Sequence, residues 1–126
     1  MQQHKHAWVP IKKAEKLATQ AHPILAVAFD SYMRHDDDLS DKDLRLLEVD
    51  RSLILPTHES IRLVCTGADV IHAWSVPSFG VKVDCIPGRL NQIPLHVVVA
   101  GTSYGQCSEL CGINHGFMPI EVVAIS

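Results

Sequence analysis

The chain has 126 residues, 47% of them hydrophobic, and a formal net charge of −3 at neutral pH. That length fits one domain with a small core, and the acidic balance argues against nucleic acid as a partner while leaving a basic protein partner open. The longest apolar run, residues 24–29, falls far short of the roughly 18 residues a membrane-crossing helix needs, so no transmembrane span is expected.

Residues 1–29 read as an N-terminal extension distinct from a main domain over 30–126. Four lysines stand there against Glu15, and good helix formers predict a short basic helix over Ile11 to Gln20 that Pro23 stops. Such a helix suits a docking segment or a residual targeting sequence, although arginine and serine are lacking. His4 and His6 are expected to be terminal residues, not ligands. Next comes an acidic stretch, Asp36-Asp37-Asp38 followed by Asp41 and Asp43. It reads as solvated loop, with a patch steering a basic partner as the functional alternative.

Strand signals begin beyond Leu46. Runs over residues 53–55, 61–66, 70–76, 81–86, 95–100 and 120–125 are each bounded by turn-forming Gly or Pro, or by polar residues. Spacing near ten residues without an intervening helical pattern predicts an all-β sandwich or barrel. Cys65 and Cys85 fall singly in these apolar runs and read as buried thiols. His72, in Asp69-Val-Ile-His-Ala-Trp74, reads first as a core histidine.

Near the C-terminus Cys107, Cys111, His115 and Met118 form the pattern C-x3-C-x3-H-x2-M, with Gly105, Gly112, Gly116 and Pro119 in and around it. Those glycines and the proline predict a loop that can aim several soft or borderline donors at one centre. Thiolate, imidazole and thioether suit copper better than calcium, magnesium or manganese. Zinc is the rival, but it favours paired Cys/His spacings and has no use for methionine. A disulfide between Cys107 and Cys111 would leave His115 and Met118 unexplained.

The stretch Tyr104-Gly-Gln-Cys-Ser-Glu-Leu-Cys-Gly-Ile-Asn-His-Gly-Phe-Met-Pro119 resembles the binuclear copper (CuA) loop of cytochrome c oxidase subunit II. The likeness continues upstream in Phe29-Asp-Ser-Tyr-Met33, Leu44-Arg-Leu-Leu-Glu-Val-Asp50, Asp69-Val-Ile-His-Ala-Trp-Ser-Val-Pro77 and Pro87-Gly-Arg-Leu-Asn-Gln92. It implies a cupredoxin-like Greek-key β-sandwich holding a copper pair that accepts electrons from cytochrome c and passes them to haem in subunit I. By resemblance, Cys107 and Cys111 are bridging thiolates, His72 and His115 terminal imidazoles, and Met118 a weak axial ligand. Glu109 offers its carbonyl to copper and its carboxylate to a magnesium ion shared with subunit I. The chain then contributes to an oxidase complex and is not catalytic alone.

The family's usual transmembrane helices and aromatic first strand have no counterpart before Phe29. The resemblance therefore implies the C-terminal half of a split subunit II, partnered by a separate chain that carries the N-terminal transmembrane half. Its expected place is the intermembrane-space face of the mitochondrial inner membrane. The CuA domain of nitrous oxide reductase has a similar loop, but it usually comes with a large propeller domain. A stand-alone copper carrier or chaperone with the same fold is the alternative from a different class.

Overall fold

The computed structural model describes residues 29–126 and the backbone of Lys12–Lys13. Among the described residues eight strands run in chain order: β1 Lys12–Lys13, β2 Leu53–Pro56, β3 Ser60–Cys65, β4 His72–Val76, β5 Val81–Cys85, β6 Asn91–His96, β7 Gly101–Gln106 and β8 Pro119–Ile125. Among the described residues the helical segments are short 3-10 turns, at Asp36–Asp38, Pro77–Phe79 and His115–Phe117.

Alternation of apolar and polar side chains decides the layers. In β3, Ile61, Leu63 and Cys65 turn inward, and in β8 Ile120, Val122 and Ala124 do the same, as period-two strands with one wet face must. β8 lies between β2, to which it is parallel, and β7, to which it is antiparallel. β3 lies between β1 and β6, both antiparallel to it. β4 and β5 form a two-stranded ribbon joined through the Pro77–Phe79 turn. β4 packs against β7, while β5 contacts β3 and β6, so the ribbon links the two sheets. Leu55, Leu63, Trp74, Val76 and Val122 are fully buried between them. The result is the all-β sandwich expected from the strand pattern.

Several boundaries differ from expectation. The apolar run 95–100 is not a strand over its length: β6 occupies Asn91–His96 instead, and Val98 and Val99 are exposed in the following loop. Pairing with β3 sets that frame, since Asn91 lies opposite Cys65 and His96 opposite Ser60. β7, whose sequence Gly-Thr-Ser-Tyr-Gly-Gln carries no apolar alternation, is defined wholly by its ladder with β8. Within the stretch expected to be helical, Lys12 and Lys13 are extended and pair with Arg62 and Ile61. That edge of β3 offers backbone groups a helix could not use. The remainder of residues 1–28, with His4 and His6, lies outside the described residues.

The acidic stretch is an exposed turn stapled by arginines. Arg45 reaches Asp36 at 3.2 Å, Arg34 reaches Asp43 at 3.4 Å, and Arg34 also donates to the Asp38 carbonyl. Hydrogen bonds from Ser40, with Arg34 nearby, hold the Asp43 carboxyl below its ordinary range. The stretch is thus a solvated loop, as expected, and keeps most of its carboxylates at the surface.

Candidate metal centre

The pairing of Gln106 with Pro119 closes the base of the β7–β8 hairpin, and the segment Cys107 to Met118 is its loop. Within it Gly112 has φ 126°, which a side chain would strain, and its carbonyl accepts the His115 N–H at 3.2 Å. Phe117 N–H then donates to Asn114 at 3.0 Å, completing the turn that points His115 back toward the cysteines. The Ser108 N–H donates to the Ala73 carbonyl at 3.3 Å, tying the start of the loop to β4. β4 begins at His72, so that bond fixes the loop beside the histidine.

The donor atoms form a connected series. His72 Nδ1 lies 4.0 Å from Cys107 Sγ, Cys107 Sγ lies 3.9 Å from Cys111 Sγ, and Cys111 Sγ lies 3.5 Å from His115 Nδ1. Met118 Sδ stands 3.4 Å from Cys111 Sγ, and the Glu109 carbonyl accepts from Cys107 Sγ at 3.3 Å. The donors of His72, Cys107 and Cys111 all fall within 4.8 Å of one another. Both cysteines are free thiols, so the disulfide reading does not describe this site. All six residues singled out in the sequence are thus brought together: His72, Cys107, Glu109, Cys111, His115 and Met118.

Asp69 has a role the sequence did not reveal. Its Oδ1 lies 2.6 Å from His72 Nε2, which assigns the imidazole proton to Nε2 and leaves the Nδ1 lone pair facing the sulfurs. The signal was an acidic residue three positions before a histidine, which becomes informative only once the histidine is known to face a metal.

The donor set fits a soft metal. Sulfur and imidazole dominate, and the Asp69 carboxylate is engaged with the far nitrogen of His72. Two thiols and two imidazoles would also suit zinc, but the thioether and the contact between the two sulfurs favour copper. Burial, reinforced by the neighbouring Cys107, pushes the Cys111 thiol up to about 11, so the metal-free site holds it protonated at neutral pH. Because folding raises this thiol above its ordinary value of about 8.5, its contribution to stability is complete below that pH and is lost as pH climbs toward 11. Metal uptake at neutral pH must displace the proton. Adding copper to the metal-free chain in weak buffer is expected to acidify the solution, read with a pH indicator dye; uptake without proton release would show that Cys111 does not bind.

The sequence and the fold are similar to those of known proteins. The family described as "Cytochrome C oxidase subunit II, periplasmic domain" matches residues 5–125. The chain is 57% identical over 100 residues to cytochrome c oxidase subunit 2 of Cyanidium caldarium, covering 79% of this chain and 39% of the relative. It is 54% identical over 101 residues to the mitochondrial cytochrome c oxidase subunit 2 of Glycine max, covering 80% of this chain and 26% of that protein. This chain therefore spans well under half the length of these relatives. The crystal structure of the periplasmic domain of cytochrome oxidase subunit II of Bradyrhizobium japonicum superposes with a TM-score of 0.69 at 50% identity, covering 77% of this chain and 67% of that one. By fold, by sequence over nearly its whole length and by the clustering of soft donors at one loop, the chain belongs to the cytochrome c oxidase subunit II family.

Proposed function

We propose that this chain is the electron-accepting domain of cytochrome c oxidase, holding a binuclear copper centre between β4 and the β7–β8 loop. The observation that carries the reading is the unbroken series His72, Cys107, Cys111, His115, in which each donor lies within 4.0 Å of the next. Cys107 and Cys111 would each supply a thiolate, His72 and His115 one imidazole each, Met118 a thioether and Glu109 a carbonyl oxygen. Bound copper would supply one-electron chemistry, taking an electron from cytochrome c and yielding it to haem in subunit I.

The protein's own part is to hold these groups still. Asp69 orients His72, the Ser108 bond to Ala73 fixes the loop against β4, and the buried Trp74 and Val76 anchor β4 in the core. A donor set fixed in this way changes little when its charge changes. Leu110, Ile113 and Phe117 of the same loop are exposed, at 82%, 96% and 52%, and an apolar rim of this kind favours contact with a partner protein over the centre. The proposed partners are cytochrome c, subunit I and a separate chain bearing the transmembrane half of subunit II. The half-buried Glu109 is proposed to share a magnesium ion with subunit I, whose hard chemistry suits a carboxylate. Mitochondrial relatives support a place at the intermembrane-space face of the inner membrane.

Metal analysis joined to electron paramagnetic resonance tests the reading. Two coppers per chain with a delocalised mixed-valence signal are expected. One labile Cu(I) would indicate a copper carrier instead, and zinc or a mononuclear hyperfine pattern would sink the proposal.

A further inference from the structure

A second pair of sulfurs lies behind the ligand strand. Cys65 ends β3 and Cys85 ends β5. Past these ends the two segments run side by side in parallel: Thr66 Oγ1 donates to the Ile86 carbonyl at 3.2 Å, and Gly67 bridges Pro87. Both contacts have an offset of 20 positions, and the two cysteines share it, so the register sets them opposite each other. The segments approach so closely that a Cβ on Gly67 would lie 2.7 Å from the Cys85 carbonyl oxygen. Both cysteines are free thiols turned into the core, 3% and 8% exposed, and both belong to its main apolar cluster. Neither belongs to the ligand set.

We propose that Cys65 and Cys85 form an intrachain disulfide that joins β3 to β5 behind His72. A low-molecular-weight disulfide such as oxidised glutathione is the oxidant. One cysteine sulfur, having lost its proton, attacks a glutathione sulfur, forming a mixed disulfide and releasing one glutathione thiolate. The other cysteine sulfur attacks the cysteine side of that bond and expels the second glutathione. Cys65 Sγ is then bonded to Cys85 Sγ, and both cysteine protons end on glutathione. The two sulfurs are buried in the folded chain, so the bond forms during folding or through local opening of the ends of β3 and β5.

The bond would serve the metal centre in two ways. It closes the segment that carries Asp69 and His72, fixing the ligand strand to both layers of the sandwich. It also occupies a rival ligand: Cys85 lies directly across the ladder from His72 and lines, with His72, Cys107 and Met118, a cavity of about 30 Å³. A free thiol there competes for a soft metal, whereas a disulfide sulfur carries no thiolate. This second consequence rests on the copper reading above; the bond itself does not.

The test refolds the full reduced chain in reduced and oxidised glutathione, loads it with copper, then denatures, alkylates and maps its peptides. The expected product is one cross-linked peptide pair containing Cys65 and Cys85, lighter by two hydrogens than the separate reduced peptides. The unfolding midpoint should rise by on the order of 10 °C over the reduced form, a shift absent in Cys65→Val. Alkylation of both cysteines, a glutathione adduct on either one, or a link from either to Cys107 or Cys111 would overturn the proposal. Because the mapping is done on the parent chain, failure of the variant to fold leaves the test intact. Copper stoichiometry is read on the same samples, so loss of the copper reading and loss of the disulfide appear as separate results.

Discussion

Cys107→Ser and Cys111→Ser are each expected to abolish the copper pair, with affinity falling by well over about 100-fold, more than outer-shell changes usually cost. Each sulfur has donors on two sides: Cys107 faces His72 at 4.0 Å and Cys111 at 3.9 Å, and Cys111 also faces His115 and Met118. Serine keeps the shape but replaces a soft thiolate with a hydroxyl that stays protonated. Removing either sulfur therefore cuts the donor series into pieces too small to hold two ions. Two other substitutions grade the effect. Met118→Leu removes a weak thioether donor beside Cys111, so copper should stay while its redox potential shifts. Asp69→Asn leaves every ligand in place but weakens the hold on the His72 proton, for an expected loss of about 10- to 100-fold in affinity. Copper analysis, resonance spectra and potentiometry on the three kinds of variant check the order. If Cys107→Ser kept two coppers, the assignment of Cys107 as a ligand would be wrong.

The spacing of Cys107, Cys111, His115 and Met118 revealed the loop because one short segment holds all four, and local chemistry needs no knowledge of the fold. His72 differs. Taken alone it is a histidine in an apolar run, and it gains a ligand role only beside a loop 35 positions away that carries a single imidazole of its own. The strands whose apolar residues alternate, such as β3 and β8, could be read directly. β7 could not, because its Gly-Thr-Ser-Tyr-Gly-Gln sequence is held by its backbone ladder with β8 and has no apolar alternation for hydrophobic periodicity to register. β6 was misplaced for the opposite reason: Val98 and Val99 extend the apolar run past the point where pairing with β3 ends. The meeting of Cys65 with Cys85 depends on the register of Gly67 with Pro87, a long-range relation that no local pattern encodes. The bond between Asp69 and His72 is not legible in the sequence, because it is set by the orientation of the ring.

Gly105→Ala is expected to disable the protein from the fold side, although Gly105 binds nothing. Its hydrogen faces the β4 backbone. A Cβ there would stand 1.9 Å from the Ser75 carbonyl oxygen, 2.9 Å from its carbon and 3.0 Å from Val76 Cγ2. The obstacle is backbone, so no rotamer relieves it, and β4 and β7 must part by on the order of 1 Å to restore ordinary contact. Separation opens the core at Val76, which is fully buried, and overpacking of this kind costs about 3 kcal/mol or more. For a domain of this size that lowers the unfolding midpoint by on the order of 10 °C. The site suffers as well, because β4 starts at His72 while β7 leads directly into Cys107. Moving one strand from the other pulls His72 Nδ1 away from Cys107 Sγ and strains the Ser108 bond to Ala73. Copper content should therefore fall together with stability. Gly116→Ala is the control, since a Cβ at Gly116 meets nothing within 4 Å and its midpoint should match the parent's. Circular dichroism melts of the metal-free chains, followed by copper analysis after loading, read both effects. A Gly105→Ala protein that melts with the parent and binds copper fully would show that the close approach of β4 to β7 does not position the centre.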